Sequence, residues 1–253
     1  MPRLITIPAS HFCELARWGL DHAGVDFEEQ PHLQVMHLLA TTRVGARRLT
    51  PVLVTDAGLV QGSVEILDWA DQRRAPGRAS VRASRARFAE LLGVSLDEFG
   101  AATRRVFYAN VARCSTELGM RINAPGAPVW ERRLFRAMYP LMMGLARHAC
   151  EVDARTVAAA RVLIDRALDR VADRLGDGRP FLDGDHLCAD DICFASLSVP
   201  LHPPPNYAVP LPEIADFPAS VQREFNRYAE HPAVAHALNM YRGHRMRAAV
   251  DVA

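Results

Sequence analysis

The sequence predicts a small α/β domain over residues 1–76 followed by an all-α domain over residues 79–253. Three observations point there. The first 75 residues alternate short β-prone runs with helical periodicity, no convincing strand follows Ala79, and 253 residues that are 49% apolar can fill one large core or two modest ones.

Arg3-Leu4-Ile5-Thr6-Ile7 is a β-prone run that stops at Pro8. Phe12, Leu15, Ala16, Gly19, Leu20 and Ala23 then recur at helical spacing, with His11, Glu14, Arg17, Asp21 and His22 on the other faces, which predicts an amphipathic helix. Ser10 stands at its N-cap position and Gly24 at its C-terminal stop. Val25 to Gln30 reads as a second strand, followed by a less regular piece to Arg48. Thr50 to Val54 and Leu59 to Gln61 form a hairpin around Asp56-Ala57-Gly58, and Ser63 is placed to cap a helix reaching about Asp71. Arg73 to Arg78 is the expected linker.

Beyond it, Leu96, Phe99, Thr103, Val106, Phe107, Asn110, Val111 and Cys114 form one helical stripe. Trp130 to Cys150 is a second, very apolar segment that Pro140 should bend or split, with Trp130, Met142 and Met143 expected in the core. Thr156 to Leu175 predicts a third helix ended by Gly176-Asp177-Gly178, and two more are expected at Ser220–Glu230 and Ala233–His244 after a proline-rich connector, His202 to Tyr207.

Composition excludes several functions. The 30 basic residues, all Arg, nearly balance 29 acidic ones, and the first 75 residues hold 7 Arg against 9 Asp plus Glu, so no segment forms the basic patch that nucleic acid requires. No run of 18 apolar residues could span a bilayer, and the five scattered cysteines do not read as a secreted disulfide framework, so a cytoplasmic protein with reduced thiols is expected. Neither G-x-G-x-x-G, a Walker A sequence, H-E-x-x-H nor G-x-S-x-G occurs, and no metal site is expected.

The helix start Ser10-His11-Phe12-Cys13-Glu14-Leu15-Ala16-Arg17, the strand Leu49-Thr50-Pro51-Val52-Leu53 and the segment Gln61-Gly62-Ser63-Val64-Glu65-Ile66-Leu67 resemble, in this order, the thioredoxin-like N-terminal domain of the glutathione transferase superfamily. Phe181-Leu182-Asp183-Gly184-Asp185-His186-Leu187-Cys188-Ala189-Asp190-Asp191-Ile192 resembles the turn and helix start of its C-terminal domain, with Cys188 where a capping Ser or Thr is usual.

The resemblance implies glutathione as co-substrate, no permanently bound cofactor, and a homodimer. It places Ser10 as the hydroxyl that holds the glutathione sulfur as a thiolate, where the residues alone favour a plain N-cap. By the same resemblance His11, Thr50, Pro51 (as a cis-proline), Val52 (through its backbone), Gly62 and Ser63 line the tripeptide site. Gly62 departs from the pattern, because the family usually carries Glu, Asp or Gln there to meet the γ-glutamyl unit. Phe107, Asn110 and Cys114 would face a small apolar electrophile. Two other functions stay open: a non-catalytic binding or scaffold protein, and a thiol-disulfide or dehydroascorbate-type reductase in which Cys13 is the active thiol.

Overall fold

The structure is a computed structural model that describes residues 1–111 and 114–245. The last eight residues of the expected helical domain therefore lie outside the described residues. Four short strands, β1 (Arg3–Thr6), β2 (Glu28–Pro31), β3 (Val52–Thr55) and β4 (Gly58–Gln61), form one sheet in the order β2-β1-β3-β4. β1 and β2 run parallel, while β3 is antiparallel to both β1 and β4. The parallel pair needs a crossover, and α1 (His11–Ala23) supplies it. Ser10 caps α1 by accepting the Cys13 N–H at 3.4 Å, and Gly24 closes it in the left-handed conformation that a residue with a Cβ rarely takes. The second strand begins at Glu28, three residues later than the β-prone run suggests, and the irregular piece contains α2 (His37–Arg43).

α3 (Ser63–Asp71) packs on α1 so closely that a Cβ on Gly19 would crowd Leu67. Gly62 is its N-cap and Ser63 its first helical residue, one position later than expected, because Gly62 takes the turn with a φ of 116°.

The rest is helical. α4 (Arg85–Leu92) and α5 (Leu96–Val111) follow the connector; α6 (Thr116–Asn123), α7 (Val129–Ala137) and α8 (Tyr139–Ala149) form a broken row; α9 (Ala154–Leu175) and α10 (Ala189–Ser198) run through the centre; α11 (Ala219–Ala229) and α12 (Pro232–His244) close the domain. The expected break near Pro140 falls at Met138, which leaves Pro140 in the first turn of α8 where its missing N–H costs nothing. α4 and α6 escape sequence reading because each is only eight residues long. Met142 and Met143 are buried as expected, but Trp130 is 53% exposed: α7 turns only Glu131 and Phe135 inward.

One apolar core crosses the domain boundary. Leu15, Trp18, Val64 and Leu67 from the sheet side join Phe99, Ile164, Ile192 and Phe194 from the helical side. Asp191 pins the start of α10, accepting the Cys188 N–H at 3.0 Å, the Leu182 N–H at 2.9 Å and a contact from His236 Nε2 at 3.0 Å. Its half of the capping box is thus intact. Burial and the adjacent Asp191 carboxylate push the Cys188 thiol up to about 12, so it stays protonated.

Candidate functional site

The register of the sheet gathers the predicted residues of the first domain at one end. Ile5 lies opposite Val52, and Val52 opposite Gln61, so the end of β1, the start of β3 and the end of β4 share one edge. The segments that leave this edge carry Ser10, Thr50-Pro51 and Gly62-Ser63. The Thr50–Pro51 peptide bond is cis.

Ser10, Cys13 and Thr50 meet around one sulfur. Cys13 is fully buried, and its Sγ accepts the Ile7 N–H at 3.4 Å and bonds from the Ser10 and Thr50 hydroxyls. Burial pushes this thiol up, and the Arg17 charge and the three hydrogen bonds offset that only partly. A thiol that is protonated at neutral pH and closed to solvent is a poor nucleophile, which weighs against the reductase reading. Ser10 itself is half-buried, so its oxygen stands at the surface end of the α1 N-terminus.

Val52 does not offer its backbone as expected, since it is flanked by β1 and β4 and pairs with both. Thr50 does. Among the described residues neither its N–H nor its carbonyl meets a backbone partner, whereas the Pro51 carbonyl already accepts the Gly62 N–H at 3.2 Å. Ser63 is buried at the first turn of α3, and its hydroxyl makes no hydrogen bond among the described residues. A free hydroxyl and unpaired N–H groups at a helix start favour an anion.

Around Gly62 the chain has moved its charge. Gln61, one residue earlier, is tied to the preceding loop, its Nε2 donating to the Arg47 and Leu49 carbonyls at 2.8 Å each. A Cβ at Gly62 would overlap the carboxylate of Glu65, which therefore fills the space where a side chain at position 62 would begin. Glu65 Oε1 accepts from Arg85 at 3.0 Å, and Arg85 also reaches Asp97 at 2.8 Å. Its position, three residues into an apolar-looking helix, gave no sequence signal.

His11 is not part of an open site. It is buried and sits 3.0 Å from the Gly100 carbonyl on α5, which fixes Nε2 as the protonated nitrogen. Burial, with Arg104 adding to it, lowers its pKa from 6.5 to about 3, so the ring is neutral. With Ala9 and Phe107 it borders a partly open apolar pocket of about 40 Å³, also lined by Pro200, Pro203 and Leu211. Phe107 lines this pocket. Asn110 and Cys114 do not line that cavity: Asn110 is buried with its Nδ2 unpartnered among the described residues, and Cys114 packs with the cluster around Tyr139 and Met142.

The sequence reading missed a buried ion network under α1. Glu14 and Arg17, assigned to the polar faces, are fully covered by the second domain. Arg17 bonds Glu29 at 2.7 Å and Glu14 at 3.5 Å, and Arg245 reaches Glu14 at 2.8 Å and Asp21 at 2.6 Å. Tyr207, from the proline-rich connector, is buried against Arg17. Among the described residues no group of three or more His, Cys, Asp or Glu side chains could hold a metal ion, and no helix is long and apolar enough to cross a membrane.

Residues 4–78 match the family model of the glutathione S-transferase N-terminal domain. The fold of the remainder agrees. The chain superimposes on a glutathione S-transferase from Methylobacillus flagellatus KT, solved with glutathione bound, with a TM-score of 0.55 at 14% identity over 96% of this chain and 95% of that one. The family match is thus confined to the first domain, and the likeness of the whole chain is one of fold. A theta class glutathione S-transferase from Xanthomonas axonopodis pv. citri, with glutathione bound, gives a TM-score of 0.52 at 17% identity over 94% and 96% of the two chains. One from Methylobacterium radiotolerans, in complex with glutathione sulfonate, gives 0.50 at 21% over 94% of each. Among curated proteins no sequence matches. At these identities the likeness is one of fold, a thioredoxin-like domain followed by a helical domain, and it carries no chemistry by itself.

Proposed function

We propose that this protein binds glutathione at the sheet edge and activates its sulfur from Ser10 for attack on a small apolar electrophile. The observation that carries this reading is the convergence on one edge of the α1 N-terminus, where Ser10 stands half-buried beside Cys13, with two groups that have no protein partner among the described residues: the Thr50 backbone and the Ser63 hydroxyl. They suit a thiol, a peptide unit and a carboxylate in turn. A hydrogen bond from the Ser10 hydroxyl, turned from Cys13 to the ligand, and the positive end of α1 stabilise the thiolate; the thiol proton leaves to solvent, the sulfur forms the new bond to the electrophilic carbon, and the leaving group, halide from an aryl halide, departs with the electron pair of the bond that breaks. Glu65 takes over the contact to the γ-glutamyl ammonium that position 62 lacks. Phe107 and the apolar cavity receive the electrophile, and a volume of about 40 Å³ admits only a few heavy atoms unless the proline-rich wall moves.

Thermal unfolding with and without millimolar glutathione tests binding, because a ligand at 100 times its Kd adds about 2.7 kcal/mol of stability. A raised melting temperature is expected; an unchanged one would favour the scaffold function. Ser10→Ala should stay folded, since losing a cap costs about 0.5–2 kcal/mol, while kcat and kcat/KM with a small aromatic halide fall together.

We also propose a homodimer. α7 and α8 leave Trp130, Leu134, Leu141 and Leu145 each at least 40% exposed, an apolar surface of the kind that subunit contacts cover.

A further inference from the structure

α2 is weakly held by its own contacts. It has seven residues, its N-cap position is Met36 with no capping side chain, and Thr41 is its one buried residue. A helix so short is not stable alone, so the segments at its two ends must set its place. The far end is tied to the sheet. The Ala46 N–H donates to the Thr41 carbonyl at 3.0 Å, and Gln61 on β4 accepts the Arg47 N–H at 3.0 Å and donates to the Arg47 and Leu49 carbonyls. Leu49 runs straight into Thr50, whose backbone lies at the candidate edge.

The near end is tied to the other domain. Leu33 is fully buried in one cluster with Ile122 and Phe135. Glu131 of α7, itself buried, accepts the Leu33 N–H on Oε2 at 2.9 Å and has its Oε1 2.6 Å from His32 Nδ1. Gln34 donates to the fully buried Asn123 of α6, which is fixed in turn by donating to the Gly119 carbonyl at 2.7 Å. Two buried side chains of the helical domain thus grip three consecutive residues of the sheet domain. The next residue, Val35, has a φ of 72°, a left-handed conformation in which a β-branched residue is strained and persists only because its surroundings impose it. Val35 is followed by Met36 and then by α2, so the strained residue is the joint between the gripped turn and the helix.

We propose that Glu131 is a positioning residue for the glutathione edge: from the helical domain it clamps the turn 32–35, sets α2 and, through the loop 44–49, holds the Thr50 backbone where the tripeptide meets it. The role at the edge rests on the reading of that edge as a glutathione site. An apolar residue at position 131 would fill the inward stripe of α7 as Phe135 does, but would leave the Leu33 N–H buried without an acceptor.

Hydrogen exchange and glutathione calorimetry on the full-length protein test this. In Glu131→Ala the amides of α2 should exchange about tenfold faster with those of α1 unchanged, and glutathione should bind about fivefold more weakly. The KM for glutathione should rise by the same factor while kcat holds. Glu131→Gln keeps an oxygen for the Leu33 N–H and an amide donor for His32, and should stay within about twofold of the parent in every readout. Phe135→Leu loosens the same core on the same helix without touching the turn, and should leave α2 exchange and glutathione affinity at parent values. Should Glu131→Ala fail to fold, Gln34→Ala cuts the second grip from the turn side and should speed α2 exchange about threefold. Unchanged α2 exchange in the variants that release the turn, an equal rise in Phe135→Leu, or faster α2 exchange with unaltered glutathione affinity would each overturn the proposal. In a parent that binds no glutathione the reading of the edge fails, and α2 exchange alone then supports or overturns the clamp.

Discussion

Position 62 shows how a single residue's backbone decides what its neighbours must do. Its φ of 116° is comfortable only for glycine, so an acidic side chain there would be strained as well as blocked by Glu65. Gly62→Glu should therefore destabilise the protein rather than tighten glutathione binding. Glu65→Gln is the informative change: the side chain is about half exposed, the fold should persist, and loss of a bond to a charged ammonium should weaken glutathione about ten- to a hundredfold in a calorimetric titration. Unchanged affinity would show that another group meets the ammonium. His11 gives a second test at this scale. Its pKa near 3 in the fold lies below the 6.5 of the unfolded chain, so between these values the unfolded state binds more protons and stability is lost as pH falls through that window. The slope from this one group approaches 1.4 kcal/mol per pH unit. Urea unfolding from pH 6.5 to 4.5 should show a shallower decline for His11→Gln than for the parent, and parallel curves would remove the assignment.

At the scale of elements, what the sequence displays is periodicity, and periodicity reports a face without saying what covers it. α1, β3, β4 and α9 were legible because each combines a regular pattern with a stop such as Gly24, Gly58 or Gly176. The same pattern misled at both ends of the polarity scale. Glu14 and Arg17 look solvated on a helical wheel and are buried, because a second domain sits on the polar side of α1. Trp130 looks like core and is exposed, because α7 is short and its inward stripe holds only Glu131 and Phe135. Glu131 satisfies itself there by accepting the Leu33 N–H at 2.9 Å and pairing with His32 at 2.6 Å. Of the candidate site, Ser10, Thr50 and Ser63 were readable from motif order, whereas the proposed contact at Glu65 became visible only through the space that Gly62 leaves. The uncovered side of α7 and α8 carries the dimer prediction. Light scattering at micromolar concentration should give twice the 28.0 kDa chain mass for the parent and a lower mass for Leu141→Glu, which places a charge in the proposed contact. A monomeric parent would exclude the dimer, and a variant that stays dimeric would move the contact elsewhere.

Across the whole molecule, the two domains are joined by apolar packing and by charge, and the charge is the more specific of the two. Arg245, just past the end of α12, reaches back across the chain to Glu14 and Asp21 on α1, while Arg17 beside them holds Glu29 at the edge of the sheet. Burial alone disfavours the Arg245 cation, but Glu14 and Asp21 outweigh it and keep the guanidinium charged. The same burial pushes the Asp21 carboxyl up, so this side of the network depends on its arginine. Arg245→Met would leave the fully buried Glu14 with only the 3.5 Å contact to Arg17 and should cost about 3–5 kcal/mol, at roughly 2–4 °C of melting temperature for each kcal/mol in a chain of this size. The decisive comparison is the double variant. If the penalty comes from an uncompensated buried carboxylate, Glu14→Gln/Arg245→Met should be more stable than Arg245→Met alone, because the second change removes the charge that the first one stranded. If the two losses simply add, Arg245 stabilises the fold through packing on Trp18 and the neighbouring helix, and the ionic account of the domain junction fails.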